Sequence, residues 1–156
     1  MGQNVVYRIL LIEDSKADAE LLKIAFGECK DAQVEVEVLP DSTRLTHYMH
    51  GQGEFAGVKI PDLIVLDYHH PINGGVALAQ LAGSPDLMHI PIVVMTGSED
   101  PKTVYEAYSR HANCVMRKAS DLDGMIETAC EIARFWFRKA VLPPRRQSSA
   151  PSAAVV

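Results

Sequence analysis

Five side chains far apart in the chain could do chemistry together: Glu13, Asp14, Asp67, Thr96 and Lys118. Three carboxylates cannot crowd together ionised without a counter-ion, because like charges raise one another's pKa. A hard cation with oxygen ligands resolves that conflict. Mg²⁺ suits it, since it accepts a few carboxylates, keeps waters and takes phosphate oxygens. Lys118 would add a point charge able to reach phosphate, and Thr96 a hydroxyl donor. This is the set that phosphoryl transfer to a carboxylate needs: an aspartate nucleophile, a metal that neutralises the phosphoryl oxygens, and cationic and hydroxyl partners. Asp67 is the expected nucleophile, being the single acid on its apolar run. Taken singly, each residue has an ordinary reading. Asp14 can start a helix, Thr96 can be a turn hydroxyl, and Lys118 can be a solvated lysine. The chemistry therefore depends on the elements that position them.

Those elements alternate. Val5 to Ile12 is an apolar, β-branched run that reads as a buried strand and stops at Glu13-Asp14. Ser15 and Asp18 have the spacing of a capping box, and Leu21, Leu22 and Ala25 form the apolar face of a helix. Val34, Val36 and Val38 alternate with polar residues as a half-exposed strand. A weaker helix opens at Asp41-Ser42 and ends by Gly51. Leu63 to Leu66 is a buried strand ending at Asp67, Gly74-Gly75 precede a short helix, and Pro91 to Thr96 is a fourth strand. Asp100-Pro101 caps a helix running to about Arg110. Cys114-Val115-Met116 is a short strand before Lys118. The last helix has the clearest stripe, from Leu122 through Met125, Ala129, Ile132 and Trp136 to Ala140. Five strands alternating with five helices predict an α/β fold, a doubly wound five-stranded parallel sheet. In such sheets ligands bind outside the carboxyl ends of the strands, where all five candidate residues fall.

The length of 156 residues suits one domain. Twenty acidic against 15 basic residues give a net charge of −5, which argues against a nucleic-acid surface or docking on an anionic membrane. The composition shifts near Leu142, and residues 143–156, rich in Pro and Ser, read as a disordered tail. Setting aside Arg145 and Arg146 leaves 13 basic against 20 acidic residues, a net of −7 for the body. No signal peptide or membrane-spanning run is legible, so a cytoplasmic protein is expected. Cys29, Cys114 and Cys130 are widely spaced and odd in number, and are expected to be reduced, buried thiols.

The residues also resemble a known family. Ile12-Glu13-Asp14-Ser15, Pro61-Asp62-Leu63-Ile64-Val65-Leu66-Asp67 with Pro71 and Gly75, Ile90 to Thr96, and Lys118 are similar to the receiver domains of two-component response regulators, a flavodoxin-like fold. The likeness spans about residues 5–141 and implies a receiver domain at 1–142. It implies that Asp67 accepts a phosphoryl group from a sensor histidine kinase. It also implies that Glu13, Asp14, Asp67 and the backbone carbonyl of His69 organise Mg²⁺, that Thr96 is the switch hydroxyl, and that Lys118 binds phosphate. Such a domain is a phosphoacceptor, and catalyses only its own phosphoryl transfer and hydrolysis. A narrower set looks like the small stand-alone regulators paired with bacterial and cyanobacterial phytochromes. It comprises Asp14-Ser15 with Asp18, the insert around Gly51 to Lys59, Pro85 to Pro91, Ala112-Asn113, and Ser120 to Asp123 followed by Phe135-Trp136-Phe137. It implies a phytochrome-type kinase partner and a homodimer built through the last two helices and the last strand.

Two positions depart from the family pattern. Lys118-Ala119 stands where the family usually has Lys-Pro with a cis peptide. A cis bond before a non-proline costs about 2.5–4 kcal/mol, so either a trans bond with a displaced lysine or a strained cis bond is expected. Val115 stands where the family usually has the aromatic ring that follows the switch hydroxyl, so the coupling from Asp67 to the partner surface is expected to be altered. Consecutive aromatics at 135–137 cannot all face one core. Trp136 fits the stripe, Phe137 falls at its edge, and Phe135 falls off it, as a candidate dimer contact.

Two other functions compete. Val115 and Ala119 would suit a receiver-like interaction module that no longer uses phosphate. A Mg²⁺-dependent phosphatase with an aspartyl nucleophile would carry a second acid at position 69, which is His69. Flavin binding is disfavoured because no Gly/Ser/Thr-rich phosphate loop follows the first strand.

Overall fold

The structure, a computed structural model, describes residues 4–68 and 71–145. Strands β1 (Val6–Ile12), β2 (Gln33–Leu39), β3 (Leu63–Asp67), β4 (Ile92–Thr96) and β5 (Cys114–Arg117) alternate with helices α1 (Lys16–Gly27), α2 (Leu45–Met49), α3 (Pro71–Ala82), α4 (Pro101–Ser109) and α5 (Leu122–Arg134). The strands form one parallel sheet in the order β2-β1-β3-β4-β5. The doubly wound fold expected from the alternation is the one found. The central strands β3 and β4 are buried at every position, as they must be when helices cover both faces. Edge strand β2 keeps Gln33, Glu35 and Glu37 in solvent.

Each face of the sheet has its own core. Leu10, Ile12, Ile64, Leu66 and Val94 pack against α2, α3 and α4 through Leu45, Leu78, Leu81 and Ala107. Ile9, Leu11, Val65, Val93 and Met95 pack against α1 and α5 through Leu22, Phe26, Met125, Ala129 and Ile132. Burying an aliphatic side chain of this size contributes about 1.5–3 kcal/mol, so strand residues of alternating direction sandwich the sheet firmly. No helix among the described residues is long and apolar enough to cross a membrane.

Several local expectations are corrected. Helix α3 starts at Pro71, so Gly74 and Gly75 lie inside it rather than before it. Glycine inside a helix costs about 0.5–1 kcal/mol relative to alanine. At Gly74 there is no room for alanine, because a Cβ would overlap the buried Tyr68 ring, whereas one on Gly75 meets only the end of the flexible Arg110 side chain. The aromatic run also settles differently. Helix α5 ends in a π-helical turn, Phe135–Lys139, closed by the Ala140 N–H donating to the Phe135 carbonyl at 2.7 Å. The wider turn brings Phe137, not Trp136, fully into the core, where its ring stacks on Tyr7 at 4.4 Å. Trp136 is half-buried, and Phe135 is 54% exposed as expected.

The cysteine expectation fails for two of the three. Cys29, just past α1, and Cys130, in α5, form a disulfide with Cα atoms 5.2 Å apart; Cys114 stays free. Their separation of 101 residues hid the pairing in the sequence. The side-by-side packing of α1 and α5 creates it. Pro143, Pro144 and Arg145, assigned from the sequence to the tail, line a cavity of about 320 Å³ with Pro61 and Pro91. Arg145 there donates to Asp62 from Nε at 2.9 Å and from Nη2 at 2.7 Å. The rest of the predicted tail, 146–156, lies outside the described residues.

Alkylation of the denatured, unreduced protein should modify Cys114 alone, and prior reduction should expose all three thiols. Cys130→Ser should lower the unfolding free energy by about 2–5 kcal/mol in urea titrations of the oxidised protein. Equal midpoints for the variant and the parent would show that the bridge adds nothing.

Candidate functional site

β1 and β3 are neighbours in space but not in sequence, so the strand order reverses between them. A crevice opens at their carboxyl ends. Glu13 leaves β1 with its N–H donating to the Leu39 carbonyl of β2 at 3.1 Å. Asp67 ends β3, in register with Met95 of β4, and Thr96 follows one residue on. Lys118 leaves β5 with its N–H donating to the Thr96 carbonyl at 2.8 Å. The backbone thus delivers four of the five expected side chains to one edge of the sheet.

Lys118 occupies the middle of the cluster. Its Nζ donates to Asp18 Oδ2 at 2.8 Å, to Asp67 Oδ2 at 2.9 Å and to Glu13 Oε2 at 3.2 Å. The three hydrogen bonds use all three ammonium donors. The Glu13 side chain is 0% exposed, that of Asp67 2%, that of Lys118 10% and that of Asp18 31%. The ammonium therefore sits at the bottom of the crevice with Asp18 at its mouth.

The electrostatics follow from this crowding. Burial, a shared hydrogen bond with Asp67 and the Asp67 charge push the Glu13 carboxyl up to about 8, against the opposing pull of the Ser15 N–H and Lys118. Burial alone would lower the Lys118 ammonium. Its hydrogen bonds to Asp18 and Asp67, with the charges of Asp67 and Glu13, overcome that and raise it. With Glu13 raised to about 8 and sharing a hydrogen bond with Asp67, the single ammonium incompletely balances the two aspartates at neutral pH. Carboxylate oxygens of Glu13, Asp18 and Asp67 lie within 4.8 Å of one another. The Lys118 ammonium stands among these oxygens, and hard carboxylate donors with an unmet demand for positive charge fit a divalent cation beside it.

Asp18 was not among the sequence-derived site residues; it served there as half of a capping box and as part of the narrower family likeness. The structure completes half of that box. Ser15 Oγ accepts from the Asp18 N–H at 3.3 Å, but the Ser15 N–H donates to Glu13 Oε1 at 3.0 Å instead of to Asp18. Glu13 takes the return bond and releases the Asp18 carboxylate to Lys118. The available signal was the spacing of Asp18 one helical turn past Glu13-Asp14, which puts it over the same crevice.

The remaining expected residues fall as follows. Asp14 is exposed and lines a neighbouring cavity of about 110 Å³ together with Asp67, Asp41 and Thr43. Thr96 is buried, and its Oγ1 accepts from the Ser98 N–H at 3.0 Å. His69, expected to offer its backbone carbonyl, lies outside the described residues. There is no cis peptide among the described residues, so the Lys118–Ala119 bond is trans. The lysine nevertheless reaches Asp67, so it is not displaced from the site. Val115 is half-buried, and its N–H donates to the Tyr108 hydroxyl of α4 at 3.1 Å. An aromatic ring is thus present beside position 115, contributed by the helix rather than by the strand.

Comparison with known proteins gives a consistent picture. The sequence model of the response regulator receiver domain matches residues 9–129. The response regulator Rcp1 of Synechocystis sp. is 34% identical over 136 residues, 86% of this chain and 92% of Rcp1. Among solved structures, the phosphorylated cyanobacterial phytochrome response regulator RcpA superposes with a TM-score of 0.81 at 32% identity, covering 90% of this chain and all of RcpA. The Mn²⁺-bound form of Rcp1 superposes with a TM-score of 0.77 at 33% identity, covering 88% of this chain and 99% of Rcp1.

Removing the shared ammonium should expose the repulsion it masks. Lys118→Ala is expected to lower the unfolding free energy at neutral pH by about 1–3 kcal/mol. Adding Glu13→Gln should restore part of that loss at alkaline pH, where the Glu13 carboxyl, pushed up to about 8, is ionised. Urea midpoints of the two variants check this, and an equal or larger loss in the double variant would show that Glu13 and Lys118 are not coupled.

Proposed function

As this chain belongs to the response regulator receiver domain family, we propose that Asp67 accepts a phosphoryl group from a sensor histidine kinase of the phytochrome type. The observation that carries the reading is the Lys118 ammonium held between Asp67 and Glu13 at the carboxyl ends of the strands. In this reaction an Asp67 carboxylate oxygen attacks phosphorus. The bond from phosphorus to the phosphohistidine nitrogen breaks, an acyl phosphate forms, and the imidazole leaves with the electron pair. The burial of Asp67 beneath Lys118 keeps its oxygen oriented and limits the access of water to the product.

Mg²⁺ is the cation this reading assigns to the crevice. Glu13 and Asp67 would hold it, with Asp14 at the rim and, as the family resemblance implies, the His69 backbone carbonyl. Such an ion neutralises the charge on the phosphoryl oxygens. Lys118 then serves as the point charge for a phosphoryl oxygen, and the Thr96 hydroxyl, one residue beyond the partner of Asp67, as its donor. Phosphorylation would be read out by altered protein interactions. Exposed Tyr105 and Tyr108 on α4, Leu122 on α5 and Phe135 beyond it offer apolar surface for a second copy through α4, β5 and α5. The site is that of a cytoplasmic signalling module that turns over only its own phosphoryl group.

Incubation with acetyl phosphate and Mg²⁺ should add one phosphoryl group, seen by intact-mass spectrometry. Asp67→Asn should abolish the adduct, and chelation should slow labelling about 100-fold or more. Labelling of Asp67→Asn at the parental rate would remove Asp67 from the role. If the parent labels but neither its dimerisation nor its kinase affinity responds to beryllofluoride, the readout is independent of phosphate.

A further inference from the structure

The trans Lys118–Ala119 bond raises the question of what aims the lysine. Strand β5 is short, lies at the sheet edge and is only half-buried. Its last backbone hold is the bond from the Lys118 N–H to the Thr96 carbonyl. Beyond it stands a four-carbon stem whose immobilisation costs about 2 kcal/mol of rotamer entropy. The backbone at 118–119 contributes no further constraint on that stem, so the constraint must come from the far end of the side chain.

We propose that Asp18 is the positioning residue of Lys118, holding its ammonium over Asp67 from across the crevice throughout the phosphorylation cycle. The inference rests on the phosphoryl-accepting reading of Asp67. Among the three acceptors, Asp18 makes the shortest contact, 2.8 Å. It stands in the first turn of α1, an element anchored by its own cap. That cap uses the backbone N–H of Asp18 and leaves its carboxylate unspent, because Glu13 takes the return bond from Ser15.

The three acceptors also differ in what the chemistry does to them. Asp67 becomes an acyl phosphate and loses its carboxylate charge. Glu13, fully buried beside it, shares a hydrogen bond with Asp67. Asp18, at the mouth and 31% exposed, takes no part in the covalent step. It is therefore the acceptor that can retain Lys118 while Asp67 changes. A carboxylate anchored to α1 is a charge-assisted hydrogen-bond partner, about twice as strong as a neutral one, and it fixes the lysine without any special geometry in its own backbone.

A double-mutant cycle tests this: the parent, Asp18→Ala, Lys118→Ala and the double variant, each labelled by acetyl phosphate at saturating Mg²⁺. Asp18→Ala should slow labelling about tenfold in the parent and have no effect once Lys118 is gone. An effect below twofold in the parent, or an equal effect in both backgrounds, overturns the proposal. The Mg²⁺ concentration for half-maximal labelling should stay within twofold. A larger rise that accounts for the whole loss makes Asp18 a cation ligand and overturns it too.

A second readout needs no phosphoryl transfer. Lys118 should be protected from amine-reactive reagents in the parent and become several-fold more reactive in Asp18→Ala and Asp18→Asn, with exposed Lys102 as the internal standard. Unchanged reactivity overturns the proposal. If the parent takes no phosphoryl group, the reading of Asp67 fails by itself, while Lys118 reactivity still decides whether Asp18 holds the lysine. Both substitutions leave the Ser15 bond to the backbone of residue 18 in place, so the helix start is kept.

Discussion

One ammonium group from near the end of the chain joins carboxylates from its beginning and its middle. Lys118 leaves the edge strand β5 and ends among Glu13 from β1, Asp18 from α1 and Asp67 from β3. Each of these carboxylates would be costly alone at its depth, since a buried charge needs a partner. Burial first, and then the hydrogen bond and charge of Asp67, raise the Glu13 carboxyl despite the nearby lysine. The site is therefore under electrostatic tension before any ligand arrives. Such tension favours the arrival of further positive charge.

The scaffold supplies the rigidity that such a site needs. β1 and β3 pair at the switch point of the sheet, and β3 and β4 are buried on both faces. One face is further tied by the Cys29–Cys130 bridge and the Tyr7–Phe137 stack, which hold α1 and α5 against each other and against β1. Because Asp18 belongs to α1, the same packing helps to fix the anchor of Lys118. The opposite face is built differently. α2 is short, α3 carries Gly74 against the Tyr68 ring, and α4 exposes two tyrosines. Tyr108 reaches back from α4 to the amide of Val115. Movement of α4 would therefore be felt directly at β5, three residues before Lys118.

The architecture was legible because the period of apolar residues changes between strand and helix, and because caps such as Ser15 and Asp100 announce helix starts. The acids at strand ends were legible for a related reason: an apolar run that stops on Asp67 or Glu13 needs no packing explanation for the acid. Asp18 was read as a cap residue, not as a site residue. Its carboxylate is diverted by a bond between Ser15 and Glu13, a choice between two nearby acceptors that sequence spacing leaves equal. Phe137 was misplaced because the stripe was counted at helical period through a turn that is π-helical.

Local chemistry thus determined the sheet, the helices and the inventory of reactive groups, since those depend on neighbours within a few residues. Tertiary structure decided which of those groups meet. The pairing of Cys29 with Cys130 and the grip of Asp18 on Lys118 both span about a hundred residues of chain. Both exist only because parallel strands and right-handed crossovers bring α1 beside α5 and the ends of β1, β3 and β5 to one edge. Contact energies of that kind belong to the packed state, and no local pattern along the chain encodes them.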